Sequence, residues 1–157
     1  MTVDSDKQQR PNSILFMCGH NAIRSPMAEV MTRALLPKDV FVASAGVITG
    51  ARDPFVEVVL NEKNLTLGKQ TPQTLDELED AFFDLIVTLS PEAHHAALEL
   101  TRIMPVEVEY WPTFDPSGEG ETREQKIDAY RAVRDVLEQK IKERFSIAKP
   151  ANTTSTG

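Results

Sequence analysis

The chain has 157 residues, 41% of them hydrophobic, which is enough for one domain with a genuine core, and its apolar runs are too short to span a bilayer. The net charge of −7 argues against nucleic acid or an anionic membrane as partner, since no broad basic surface can neutralise many phosphates; a single phosphate held locally is still accommodated. One cysteine leaves no intramolecular disulfide and no cysteine-based metal cluster, and by count alone it reads as a small buried residue.

Residues 1–11 are polar, lack the apolar segment of a signal peptide and read as a disordered tail, as do residues 148–157. The expected domain is 12–147 and the expected location cytoplasmic. Ser13-Ile14-Leu15-Phe16-Met17-Cys18 reads as a buried strand, followed by a six-residue connection and a helix start at Ser25-Pro26. Residues 40–44 form a second apolar run, and Asp53-Pro54 marks the next helix start. Thr74-Leu75-Asp76-Glu77 matches a capping box. Residues 85–89 are a third strand, with Ser90-Pro91 opening a helix behind it. In Val106-Glu107-Val108-Glu109-Tyr110 apolar and polar residues alternate, as on an edge strand with one polar face. Thr122-Arg123-Glu124-Gln125 is a second capping box. After it, Ile127, Tyr130, Val133, Leu137, Ile141 and Phe145 make one apolar stripe of a long helix that covers a sheet. Strand–helix alternation four times over predicts an α/β fold: a four-stranded parallel sheet with helices on both faces. Ligands bind such sheets beyond the carboxyl ends of the strands, where Cys18 stands.

The segment Cys18-Gly19-His20-Asn21-Ala22-Ile23-Arg24-Ser25 carries the chemistry. Six residues between a strand and a helix can curl so that their amide N–H groups converge on an anion. Gly19 tolerates unusual backbone angles, and Asn21 enters the left-handed region readily. Arg24 presents a planar fork suited to two phosphate oxygens. The same donors favour Cys18 as thiolate, and Ser25 can donate a hydroxyl hydrogen bond to its sulfur. The bland readings are that Ser25 only caps a helix, Gly19 only turns the chain and His20 is an exposed loop residue. His94 and His95 read as surface or packing residues; no metal and no cofactor is implied.

The pattern resembles the low-molecular-weight protein tyrosine phosphatase family, which includes thioredoxin-coupled arsenate reductases. The resemblance covers about residues 13–145: strand–Cys-x5-Arg-Ser, then Ser44-Ala45-Gly46, Asp84-Leu85-Ile86-Val87 and Asp115-Pro116. It implies a phosphate-binding loop of residues 19–25 after the first strand. It also implies attack on phosphorus by Cys18 to form a phosphocysteine, phosphate binding by Arg24, and proton donation to the leaving oxygen by Asp115. Asn21, Ser25 and Ser44 would hold the loop in shape. A carboxyl facing a bound dianion is expected to have a raised pKa, although Asp115-Pro116-Ser117-Gly118 is also ordinary turn composition.

The chain departs from the family at four places. His20 replaces a glycine. Ile23 replaces a cysteine, removing a protective disulfide partner. Ser117-Gly118 replaces aromatics, leaving Phe114, Trp111 and Tyr110 as the nearest rings. Gln70 stands near a loop-supporting histidine position. Three functions are weighed. The first is hydrolysis of phosphomonoesters of protein phosphotyrosine or aryl phosphate type, with a phosphorylated protein or small phosphoester as partner. The second is arsenate reduction resolved by an external thiol, since the intramolecular route needs three thiols. The third is a phosphate- or phosphoprotein-binding module without turnover.

Overall fold

The strand after residue 12 is apolar at every position beyond Ser13, so it sits where both of its faces are covered. The computed structural model, which describes residues 11–69, 71–78 and 82–145, places it at an inner position of a sheet. In chain order the elements are β1 (Ser13–Cys18), α1 (Arg24–Leu35), β2 (Phe41–Gly46), α2 (Pro54–Asn61), β3 (Leu85–Thr88), α3 (Pro91–Leu100), β4 (Glu107–Tyr110) and α4 (Arg123–Arg144). All pairings are parallel and the strand order is β2-β1-β3-β4. The two-residue period of β1 divides the core. Ile14, Phe16 and Cys18 join α1, α2 and α4 on one face, while Leu15 and Met17 join α3 on the other. β4 lies at an edge, consistent with its alternating glutamates. Among the described residues no helix is long and apolar enough to cross a membrane.

Most start signals act as read. Asp53 accepts from the Phe55 amide at 2.9 Å, and Ser90 accepts from that of Ala93 at 3.2 Å. Thr122 and Gln125 form both bonds of a capping box, and the whole stripe from Ile127 to Phe145 is buried. Two readings need correction. At Thr74 the backbone amide donates to Glu77 Oε1 at 3.0 Å, but the segment closes only a single 3-10 turn, Leu75–Glu77, not a full helix. Ser25 does not cap α1: the helix starts one residue earlier, at Arg24, with Ile23 as its boundary residue and no side-chain cap. Pro26 still lies in the first turn, where its missing N–H costs nothing, and the Ser25 hydroxyl is used elsewhere. β2 runs on to Gly46, beyond the expected end at 44, because its register pairs Gly46 with Cys18. Gln70 and the two tails lie outside the described residues.

Candidate active site

The loop between β1 and α1 is shaped from outside by the segment after β2. The Val47 amide donates to the carbonyls of Cys18 and Gly19, at 3.2 and 2.9 Å, Ile48 to that of Gly19 at 3.0 Å, and Gly50 to that of His20 at 3.0 Å. These carbonyls therefore face away from the hollow of the loop. Among the described residues none accepts a hydrogen bond from the amides of Gly19 to Ile23. A loop whose first carbonyls are taken up outside and whose amides are unclaimed inside has the make-up of an anion nest. Gly46 permits the close approach: a Cβ there would lie 2.5 Å from the Ile48 carbonyl oxygen and 2.7 Å from the Asn21 amide nitrogen.

Asn21 and Ser25 form the inner support. Asn21 is 2% exposed, with φ of 55°, the left-handed conformation expected of it. Its Oδ1 accepts from the Gln73 amide at 2.8 Å, which fixes the orientation of the carboxamide, and its Nδ2 donates to Ser25 Oγ at 2.8 Å. Because Ser25 Oγ accepts that bond, its own proton is available for Cys18 Sγ, 3.0 Å away. A chain of donors thus runs from the Gln73 backbone through Asn21 and Ser25 to the sulfur. Ser44 takes a different part from the one expected. Its hydroxyl donates to the buried Glu29 at 2.6 Å, away from the loop, and Glu29 also accepts from Arg33. The link from Ser44 to the loop runs through its carbonyl, which accepts from Gln73 Nε2 at 3.0 Å. Gln73 and Glu29 are the supporting residues that sequence reasoning missed. Gln73 acts largely through its backbone, which leaves no signal in the side-chain pattern.

Arg24 is largely buried, and its Nη1 donates to the Thr113 carbonyl at 2.9 Å. Its Nη2 lies 3.9 Å from Asp115 Oδ2, a long contact to a carboxyl that is half exposed. Asp115 starts the 3-10 turn Pro116–Gly118 and accepts from the Ser117 amide through Oδ1 at 2.9 Å. Asp115 is therefore a turn residue and a site residue at once: it lines, with Cys18, His20 and Arg24, one cleft of about 240 Å³. Its carboxyl is held below the ordinary value, contrary to the expected rise. Partial burial is the largest single influence and raises it. The Ser117 amide and hydroxyl bonds and the charges of Arg24 and His20 together outweigh that. The expected rise supposed a dianion opposite the carboxyl, whereas this balance is struck with cations opposite it.

The remaining candidates sort plainly. Ala22 and Ile23 line the cleft, and His20 is exposed at its mouth. Phe114 is 51% exposed and does not line it; Trp111 is buried edge-on against Phe16. His94 stacks on Tyr110 and meets the Thr88 hydroxyl at 3.0 Å, while His95 is exposed. Among the described residues no group of three or more His, Cys, Asp or Glu side chains is placed to hold a metal.

Known proteins share this fold. The family profile for low molecular weight phosphotyrosine protein phosphatase matches residues 13–151. The chain is 32% identical over 135 residues to arsenate reductase 2 of Staphylococcus saprophyticus, covering 85% of this chain and 95% of that one. It superposes on the crystal structure of the tyrosine phosphatase amsI of Erwinia amylovora with a TM-score of 0.70 at 26% identity, covering 87% and 91% of the two chains. The arsenate reductase structure from Archaeoglobus fulgidus gives a TM-score of 0.66 at 30% identity, covering 85% and 98%. With the profile spanning nearly all of the sequence, this chain belongs to the low molecular weight phosphotyrosine protein phosphatase family.

Proposed function

We propose that the protein hydrolyses phosphomonoesters, of protein phosphotyrosine or aryl phosphate type, through a phosphocysteine intermediate. The single observation that carries this is the placement of Cys18, Arg24 and Asp115 in one cleft, with the Ser25 hydroxyl 3.0 Å from the sulfur. In the first step Cys18 Sγ attacks phosphorus and the P–O bond to the leaving group breaks, while Asp115 gives its proton to the departing oxygen. Arg24 and the loop amides take the charge of the phosphoryl oxygens. In the second step Asp115, now a carboxylate, takes a proton from water. The water oxygen bonds to phosphorus, and the S–P bond breaks to return the thiolate, which the Ser25 hydroxyl stabilises. No metal or cofactor is needed for either step.

The test is hydrolysis of p-nitrophenyl phosphate by the full chain and by Cys18→Ser. The proposal expects turnover by the former and none by the latter; equal turnover by both removes Cys18 from the reaction.

Relatives that are named arsenate reductase at 32% identity support a second reading. Cys18 would take arsenate in place of phosphate, and an added low-molecular-weight thiol would supply the two electrons, ending as its disulfide, because the chain has no second cysteine. Arsenate-dependent consumption of added thiol is the expected result, and its absence eliminates this reading.

A further inference from the structure

A leaving group must lie against something while Asp115 protonates it, and the small residues of the cleft offer little. Ala22, Gly50 and Ala51 line it without a side chain large enough to form a wall, and Ile23, which also lines it, is buried in the core. The rings flanking Asp115 in sequence are occupied or turned away: Trp111 packs on Phe16, Tyr110 stacks on His94 at 4.5 Å, and Phe114 does not line the cleft. Among the described residues, His20 supplies the one ring that lines it.

The backbone fixes where that ring can go. The His20 carbonyl is tied to the Gly50 amide at 3.0 Å, and the next residue, Asn21, is locked in the left-handed conformation. A Cβ built on Gly50 would meet His20 Cβ at 3.1 Å, Cγ at 3.5 Å and Cδ2 at 3.7 Å. The imidazole therefore lies against the bare backbone of Gly50, and a side chain at 50 would crowd the His20 Cβ. It is close enough to Asp115 for its charge to be felt at that carboxyl. A flat ring seated on one side, exposed on the other and near the proton donor is a wall for a flat leaving group.

We propose that His20 is a specificity-determining residue whose imidazole, seated on Gly50, is the face against which the aryl ring of the substrate packs. This rests on the phosphomonoesterase reading and assigns its preference for aryl esters to one residue. His20 acts on the ring and not on the phosphoryl group, so its contribution is separable from that of Arg24 and the loop amides.

The test is equilibrium binding of inorganic phosphate and of phenylphosphonate, a non-hydrolysable aryl ligand, to the full chain and to His20→Ala and His20→Phe. The expected result is that His20→Ala weakens phenylphosphonate roughly three- to ten-fold, the size of one ring-on-ring contact. Inorganic phosphate should weaken by less, so that the ratio of the two affinities falls. His20→Phe should restore the preference for the aryl ligand. An unchanged ratio of the two affinities in His20→Ala overturns the proposal, whether both weaken or neither does. So does failure of His20→Phe to restore the ratio, or failure of the native chain to prefer the aryl ligand. Hydrolysis of p-nitrophenyl phosphate by the native chain is measured alongside. Its absence would count against the hydrolase reading, while the binding ratio would still decide the role of His20.

Discussion

Removing one hydroxyl should separate the two chemical steps. In Ser25→Ala the sulfur loses the donor that lies 3.0 Å away, and the buried Asn21 Nδ2 loses its acceptor at 2.8 Å. A hydrogen bond to a charged partner contributes about 1.5–3 kcal/mol. That bond is strongest when sulfur carries its full charge, which occurs as the S–P bond of the intermediate breaks. At about 1.4 kcal/mol per decade, hydrolysis of the phosphocysteine should slow by about 10- to 100-fold. Formation of the intermediate should slow less, since sulfur loses charge in that step. Stopped-flow measurement with p-nitrophenyl phosphate should therefore show a burst close to one equivalent of nitrophenol, followed by slow turnover. The stranded carboxamide should cost about 1–3 kcal/mol of stability, lowering Tm by roughly 2–10 °C for a domain of this size. A variant with native steady-state turnover and no burst would refute the chain of donors from Gln73 through Asn21 and Ser25 to Cys18.

Asp115→Asn should slow turnover of alkyl phosphates, whose leaving groups need the proton, by about 10²- to 10⁴-fold, and that of p-nitrophenyl phosphate far less; equal losses for both would take the acid role from Asp115. The Asp115 carboxyl is held below the ordinary value. Its acid form is therefore lost already as pH rises through the acidic range, so kcat/KM for an alkyl phosphate should fall from acidic to neutral pH, and a flat or rising profile would contradict this. Glu62 is lowered from 4.5 to about 2, first by hydrogen bonds from Arg131 and Arg134. A lowered carboxyl stabilises the fold above its unfolded value and loses that contribution as pH falls through the folded one. The stability deficit of Glu62→Gln should therefore be complete near neutral pH and close between 4.5 and about 2; a deficit independent of pH would contradict the assignment. Gly46→Ala should cost about 1–3 kcal/mol by overpacking and depress turnover as well, because the added methyl meets the backbone of the loop between β1 and α1. Native activity in that variant would show that the loop does not rely on this close approach.

The parts of the fold that were legible in the sequence are those encoded locally. The β1 run, the Asp53-Pro54 and Ser90-Pro91 starts and the Thr122 box need only neighbouring residues, and they act as read. Ser25-Pro26 carries the same local signature as the other two starts but is used differently. The Ser25 hydroxyl bonds to Asn21 and Cys18, so a tertiary need displaced the cap. Asn21 was legible because its residue type and its backbone conformation make the same demand. Gln73 was not, since a backbone amide donating across the fold looks like any other amide in a sequence. The direction of the Asp115 shift was also out of reach, because it depends on the Ser117 amide and on which charges share the cleft. His20 stands out in the sequence as a departure from the family, but its contact with Gly50 joins two loops far apart in the chain and leaves no local signal.

The central claim is that Cys18 is the atom that takes the phosphoryl group. The direct measurement is rapid acid quench of the full chain during turnover of p-nitrophenyl phosphate, followed by mass analysis of its peptides. The account predicts one phosphoryl group, on the peptide that contains Cys18, and none in Cys18→Ser. Turnover with no phosphoryl group on the protein under conditions of rate-limiting hydrolysis, as expected in Ser25→Ala, would contradict it.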